Sequence, residues 1–326
     1  MNDTRRDVVK RAIHFQNPER IPMFYFNGDL SKSDMVLVVC EDWAMGPAQD
    51  EVEWGFTWDI EPGESSPMGV PRFTLLDEWD KLDEYIAHSL PDPDRADRFR
   101  RLKEVEVGDR YLLGSTFLSG FTVMMLLRGF ENLMIDLYEE PEQVKRLAEA
   151  VFGVENRIIR LMKEHGFDGV ALFDDWGSQR APFISPQLWR EHFLPHYRKQ
   201  FELVHSLGMD VFFHTCGVVY PIIGDLIEAG VDMLNLGQLN LNDPPRVSQE
   251  FKGKVCFCQP LDYQKAGLSG TREEILAEGK YIYELFGDSR GGLIPEIFDY
   301  EKMGWQPEKP ENTLYQIEAF ERAMNE

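Results

Sequence analysis

The chain of 326 residues carries 57 acidic against 34 basic side chains, a formal charge of −23. A field of that sign argues against nonspecific binding to nucleic acid or to anionic membranes. Hydrophobic residues at 43% and aromatics at 12% supply a large core, yet the longest apolar runs, such as Met35-Val-Leu-Val-Val-Cys40, fall far short of a membrane span.

The polar start, Met1-Asn-Asp-Thr-Arg-Arg-Asp7, has no apolar export core, so no signal peptide is expected. Four cysteines make no disulfide framework. In the expected reducing cytoplasm, clustered Cys and His are ligands or core residues.

In chain order, Thr4 to Phe15 has helical spacing with Thr4 or Asp3 as N-cap, and Pro18 ends it. Ile21 to Phe26 reads as a buried strand ending at Asn27-Gly28. Residues 28–110 are the least regular, with Trp43, Trp54, Trp58 and Trp79 among several prolines. They predict strands, a lid and loops, then a helix around Asp94 to Glu106. Tyr111 to Thr116 is strand-like, and helices follow at Val123 to Tyr138 and Pro141 to Glu164, with Pro141 suited to a first turn. Gly169 to Asp174 is a strand. Pro186 to Leu207 is helical in period, and Pro195 should divide it. A strand at Met209 to His214, a helix at Val219 to Ala229 and a strand at Asp232 to Leu236 come next. Pro244 to Phe251 is a short helix, Lys254 to Cys258 a strand, and Thr271 to Phe286 a helix with a Thr271/Glu274 capping box. Gly291 to Ile294 is the last strand and Asn312 to Met324 the last helix.

Repeating strand–helix units with non-alternating apolar strands mean a parallel sheet. Strands near residues 22, 53, 111, 169, 209, 232, 254 and 291 predict one (β/α)8 TIM-like barrel over residues 1–326, distorted, with an irregular N-terminal lid segment.

Barrel enzymes keep their chemistry at the C-terminal strand ends. Those ends read Asn27; Ser115 and Thr116; Asp174, Asp175 and Trp176; His214 and Cys216; Gln238 and Asn240; Cys258, Gln259 and Asp262; and Glu296. His214 and Cys216 are two apart on a strand and so share a face, which makes them a candidate half of a zinc site. Cys258, on another strand of the same rim, is the natural third soft ligand, with Cys256 deeper as packing. Asp174 and Asp175 face opposite ways, so one of them enters the pocket as hard ligand, general base or charge clamp. A loop-bracing role for Asp175 is the equal alternative, and Glu296 is a ligand or an ion-pair partner. His192 and His196 stand at i, i+4 on a helix outside the barrel. The tryptophans are core, or in part a roof over an aromatic substrate. The sequence offers no phosphate-binding glycine loop and no serine-hydrolase elbow.

Phe173-Asp-Asp-Trp-Gly-Ser-Gln179, Ile184-Ser-Pro-Gln-Leu-Trp189, Leu194-Pro-His-Tyr197, Phe212-Phe-His-Thr-Cys-Gly217, Gly230-Val-Asp232, Leu261-Asp-Tyr-Gln264, Gly270-Thr-Arg-Glu-Glu274 and the Gly291-Gly292 pair before Glu296 resemble the uroporphyrinogen decarboxylase superfamily. The resemblance spans most of the chain and implies a distorted (β/α)8 barrel. It is nearer the corrinoid-linked methyltransferases than the decarboxylases. The arginine-bearing segment that grips propionates in the decarboxylases corresponds here to Pro22-Met-Phe-Tyr-Phe-Asn-Gly28, with no arginine. The zinc methyltransferases carry His-x-Cys, as in His214-Thr-Cys216, and a distant Cys near the last strand, where this chain reads Ile294-Pro-Glu-Ile-Phe298. The resemblance thus implies methyl transfer between a small methylated donor and the corrinoid (cobalamin) of a partner protein. Zn²⁺ would sit on His214 and Cys216, completed by Glu296 or Cys258. Asp175 would orient substrate, while Asn27, Trp176, Gln238, Asn240, Gln259 and Asp262 would line the pocket. An aryl methyl ether suits the Trp-rich segment better than a methylated amine. A homodimer is also implied. A metal-free decarboxylase using Asp175 and a noncatalytic corrinoid or porphyrin binder are the alternatives.

Overall fold

The computed structural model describes residues 3–26, 31–41, 52–59, 70–71, 73–299 and 311–325. Eight parallel strands form a nearly closed barrel: β1 Phe24–Tyr25, β2 Met35–Val39, β3 Tyr111–Leu118, β4 Gly169–Phe173, β5 Asp210–Thr215, β6 Met233–Leu236, β7 Cys256–Pro260 and β8 Leu293–Ile297. Each consecutive pair from β2 to β8 is hydrogen-bonded, and β1 pairs with β8. The β1–β2 seam is held differently. Asp34 N donates to Met23 O (2.9 Å), and the Ser33 hydroxyl accepts from Tyr25 N (3.0 Å) while donating to Met35 O (2.7 Å).

Seven of the expected strands are present. The second lies at Met35–Val39, and the chain around residue 53 is a turn. The unbroken apolar run is the pattern of a strand covered on both faces, whereas Trp54 is an anchor for the turn, fully buried with its indole N–H donated to Glu41 (3.2 Å). The expected helix at Asp94–Glu106 is also corrected: turns precede a short 3-10 segment at Arg100–Glu104. Here the buried Arg98 guanidinium organises the chain, donating to Pro93 O (2.8 Å) and Cys40 O (3.0 Å) and pairing with Glu53. Those bonds take the place of a helical ladder. Pro195 divides its helix as expected, into Pro186–His192 and Leu194–Ser206, and a break at Gly129 separates Gly120–Arg128 from Phe130–Glu139.

The barrel interior is apolar through its lower layers. Phe24, Met35, Tyr111, Leu113, Ala171, Phe212, Met233, Cys256, Cys258 and Ile294 fill it, and Val9, Ala12 and Ile13 of the helix Arg5–Ile13 seal it from below. Each Val, Leu, Ile, Phe and Met among them stabilises by about 1.5–3 kcal/mol relative to exposure. One mouth is therefore plugged, and chemistry is confined to the C-terminal one. Among the described residues no helix is long and apolar enough to cross a membrane.

One buried feature braces the open end from outside. The N-terminus of the helix Gly120–Arg128 has no side-chain cap of its own. Two carboxylates from other elements take its free N–H groups: Gly120 N donates to Glu155 (2.7 Å), and Phe121 N and Thr122 N donate to Asp174 (2.9 and 2.8 Å). Tyr197 and the Thr122 hydroxyl also donate to Asp174. Negative charge is favoured at this end of a helix. Asp174 thus turns outward as a cap, and Asp175 is left to face the mouth.

Glu155 is fully buried with fewer donors, and burial raises its pKa from 4.5 to about 7. The native state then holds a proton that the unfolded chain releases, so this residue's contribution to stability falls as pH rises from 4.5 to about 7. Glu155→Gln should match wild type in urea unfolding at pH 4.5 and exceed it by on the order of 3 kcal/mol at pH 8. Parallel pH profiles of the two proteins would contradict this assignment.

Candidate functional site

The open mouth is built by alternation. On β4, Ala171 and Phe173 face inward, and the next inward position, Asp175, lies just past the strand. On β5, Phe212 and His214 face inward, and Cys216 follows at the strand end. The ladder sets Phe173 opposite His214, and His214 opposite Asn235 of β6. Asp175, His214 and Cys216 each offer a ligand atom, and these atoms lie within 4.8 Å of one another. The Cys216 Sγ to His214 Nε2 distance is 3.4 Å, and His214 Nε2 to Asp175 Oδ1 is 3.7 Å. Ligand atoms on a tetrahedral zinc stand about 3.4–3.6 Å apart, given zinc–ligand bonds of about 2.0–2.3 Å. Both distances from His214 Nε2 are close to that spacing.

The tautomer of His214 is fixed from behind. Asn235 Nδ2 donates to Cys258 O (2.5 Å) and to Glu296 Oε2 (2.6 Å), which turns Asn235 Oδ1 to His214 Nδ1 (2.5 Å). Nδ1 therefore carries the hydrogen and donates, and Nε2 keeps its lone pair directed at the mouth. Asp175 Oδ1 accepts from Cys216 N (2.8 Å), locking the two loops together. Burial, then the Asp175 carboxylate, pushes the Cys216 thiol above its ordinary range. Without a cation this group stays protonated, whereas a bound metal would hold it as thiolate.

The expected third ligands, Cys258 and Glu296, stand apart from His214 and Cys216. Neither Cys258 nor Glu296 belongs to the set of mutually close donors, in which Asp175 takes the third place. Asn235 stands between: Cys258 lies a strand beyond it and is packed in the apolar interior. Glu296 is buried behind the amide, its pKa raised by burial to about 8.

Other predicted residues brace rather than face the mouth. Gln238 Oε1 accepts from Gly217 N (2.7 Å). Asn240, Gln259 and Asp262 line a small side cavity with Glu278. There Asn240 donates to Asp262 (2.9 Å), and Gln259 Nε2 donates to Leu236 O (2.9 Å). Alternation explains Gln259: with Cys258 inward, its neighbour points out. Trp176 is buried among Phe121, Trp189 and Phe193, with its N–H on Tyr197 (2.9 Å). Trp79 lies under Arg128 (4.6 Å), and His196 stacks on Phe152 (5.1 Å). Asn27, Trp43 and the side chain of Trp58 lie outside the described residues.

Three contributors were missed. Asn235 sits at an inward position of a strand that the sequence already marks, so its polarity was a usable signal. Tyr263, in the loop after β7, places its hydroxyl 3.2 Å from Cys216 Sγ; its place in the family-like segment Leu261–Gln264 was the available signal. Gly237 gives the site its space, since a Cβ there would lie 2.6 Å from the Tyr263 hydroxyl and 2.8 Å from Cys216 Sγ. An aromatic wall completes the mouth. Phe26 packs on Phe173 (6.1 Å) and Phe298 (5.3 Å), Phe117 on Phe173 (6.0 Å), and Phe173 on the His214 ring (5.2 Å). Phe117 holds φ at +67° beside a register shift in β3, a strained conformation of the kind found where a side chain is re-aimed at a site.

A profile of the family described as uroporphyrinogen decarboxylase (URO-D) matches residues 53–294. Uroporphyrinogen decarboxylase of Chlorobium phaeobacteroides is 26% identical over 175 residues, covering 49% of this chain and 47% of the relative. The enzyme of the same name from Chloroherpeton thalassium is 27% identical over 259 residues, covering 77% and 67%. The chain thus spans about half the length of the first relative, and two thirds of the second. Among solved structures, a methyltransferase from Methanosarcina mazei superposes with a TM-score of 0.68 at 15% identity, covering 98% of this chain and 99% of its own. That likeness is one of fold. On the span of the family match, the chain belongs to the uroporphyrinogen decarboxylase (URO-D) family.

Proposed function

We propose that this protein is a methyltransferase that moves a methyl group between a small methylated substrate and a corrinoid carried by a partner protein. In this reading zinc is held by Asp175, His214 and Cys216. The observation that carries the proposal is the donor set itself: one carboxylate, one imidazole of fixed tautomer and one thiol, spaced as zinc ligands are. A decarboxylase has no need of a thiol held against an imidazole.

When bound, zinc supplies Lewis acidity to the substrate heteroatom that carries the methyl group. The chain's own residues do the rest. His214 is oriented by Asn235 so that Nε2 faces the mouth. Cys216 would hold the metal as thiolate, and the Tyr263 hydroxyl 3.2 Å away would donate to that sulfur. Phe26, Phe117, Phe173 and Phe298 offer aromatic faces that would stack on an aryl methyl ether or attract a quaternary amine by cation–π contact. Asp175 both ligates and fixes the Cys216 backbone.

A second reading has a specific observation in its favour, because the curated relatives are named uroporphyrinogen decarboxylase. It makes Asp175 the acting carboxylate without metal. Carbon dioxide release from a porphyrinogen, retained in Cys216→Ser, would support it over methyl transfer.

Cobalt(II) loading separates the readings. The wild-type protein should show thiolate-to-cobalt charge-transfer absorption in the near ultraviolet, and Cys216→Ser should lose both that band and methyl transfer to a corrinoid acceptor. Absence of the band in wild type contradicts the proposal. Asn235→Leu, which keeps the γ-branched shape but removes the amide, should weaken zinc binding at this site about 10–100-fold, measured by competition with a chelator. Unchanged affinity would show that the amide does not set the ligand.

A further inference from the structure

We propose a second divalent-metal site at the closed end of the barrel, built from His14, Asp210 and Asp232 with His205 bonded to Asp232 beside them, and suited to a borderline cation such as zinc or cobalt(II). The four side chains come from four elements. His14 follows the plug helix Arg5–Ile13, Asp210 opens β5, Asp232 directly precedes β6, and His205 lies in the last turn of the helix Leu194–Ser206. Ligand atoms of His14, Asp210 and Asp232 lie within 4.8 Å of one another. His14 Nε2 is 2.9 Å from Asp210 Oδ1, and His205 Nε2 is 2.7 Å from Asp232 Oδ2.

The carboxylates are oriented by donors behind them, as metal-binding carboxylates are. The buried Tyr111 hydroxyl donates to Asp210 Oδ2 (2.8 Å), and Val211 N donates to Asp232 Oδ2 (2.8 Å). Gly230 keeps the His205 ring in place, because a Cβ there would lie 3.0 Å from His205 Cε1. Both imidazoles are about 40% exposed, so an ion reaches them from solvent, while the carboxylates are 11% and 20% exposed. One imidazole and two carboxylates supply three N and O donors and neutralise a divalent charge, while His205 orients Asp232.

This site lies on the same strand as the mouth set. Asp210 begins β5 and His214 stands four residues later, about 13 Å away at roughly 3.3 Å per residue. Its role is structural: a cation here would tie the plug helix to β5, β6 and the helix Leu194–Ser206, stiffening the floor on which the mouth rests.

The test uses the untagged full chain carrying His214→Ala and Cys216→Ser, which disables the mouth set, so the outcome is independent of the methyltransferase reading. Cobalt(II) titration after chelator treatment should give one bound equivalent, with d–d absorption and no thiolate charge transfer, and a rise in melting temperature. Adding His14→Gln, which keeps a hydrogen bond to Asp210, or His205→Ala should weaken binding at least about tenfold and abolish the rise. No binding in the double variant, or binding indifferent to His14 and His205, would overturn the site and leave two ion pairs only.

Discussion

His214 can offer a lone pair to the barrel mouth because Asn235 occupies its other ring nitrogen. Asn235 is itself fixed, since both its N–H groups are committed to Cys258 O and to Glu296. The chain of bonds runs from a buried carboxyl on β8 through an amide on β6 to an imidazole on β5. It fixes the orientation of the ring and leaves Nε2 facing the mouth. Cys216, Asp175 and Tyr263 are then placed around that nitrogen by loops that pack backbone to backbone. A Cβ on Gly217 would fall 2.0 Å from Gly177 O, and Gly217 itself holds φ at +82°, so the close approach depends on glycine at both positions.

The rest of the fold makes this arrangement rigid. The plug helix closes the far end, the interior layers are apolar, and the outward Asp174 caps the helix Gly120–Arg128 while Thr122 accepts a hydrogen bond from Asp175 N (3.1 Å). Consecutive aspartates thus serve two environments. One satisfies helix N–H groups in the outer core, and the other faces the substrate side. Placing a functional group on well-packed elements in this way keeps its geometry without cost in motion at the moment of reaction.

Much of this was legible in the sequence through parity. The apolar strands, the (β/α)8 order, the shared face of His214 and Cys216, and the entry of only one of Asp174 and Asp175 all follow from a period of two. What parity cannot give is stagger between strands. Cys258 and Glu296 both face inward, as expected, yet Asn235 stands between them and His214, and only the inter-strand register reveals that. The misplaced second strand has a different cause. Tryptophans near residue 54 suggested a buried element there, but one indole anchored by Glu41 holds a turn, while the plain run Met35–Val39 makes the strand. Gln259 could have been placed correctly from alternation with Cys258. Tyr263 could not, because a loop residue's reach depends on where the loop folds back.

The central claim is that Asp175, His214 and Cys216 together hold zinc. The most direct test is a crystal of untagged protein purified without chelator, with anomalous difference maps calculated from data above and below the zinc absorption edge. The account predicts a peak, present only above the edge, bonded to His214 Nε2, Cys216 Sγ and an Asp175 oxygen, with Cys258 and Glu296 remaining behind Asn235. No peak at that position, or a peak ligated by Cys258 in place of Asp175, would contradict it.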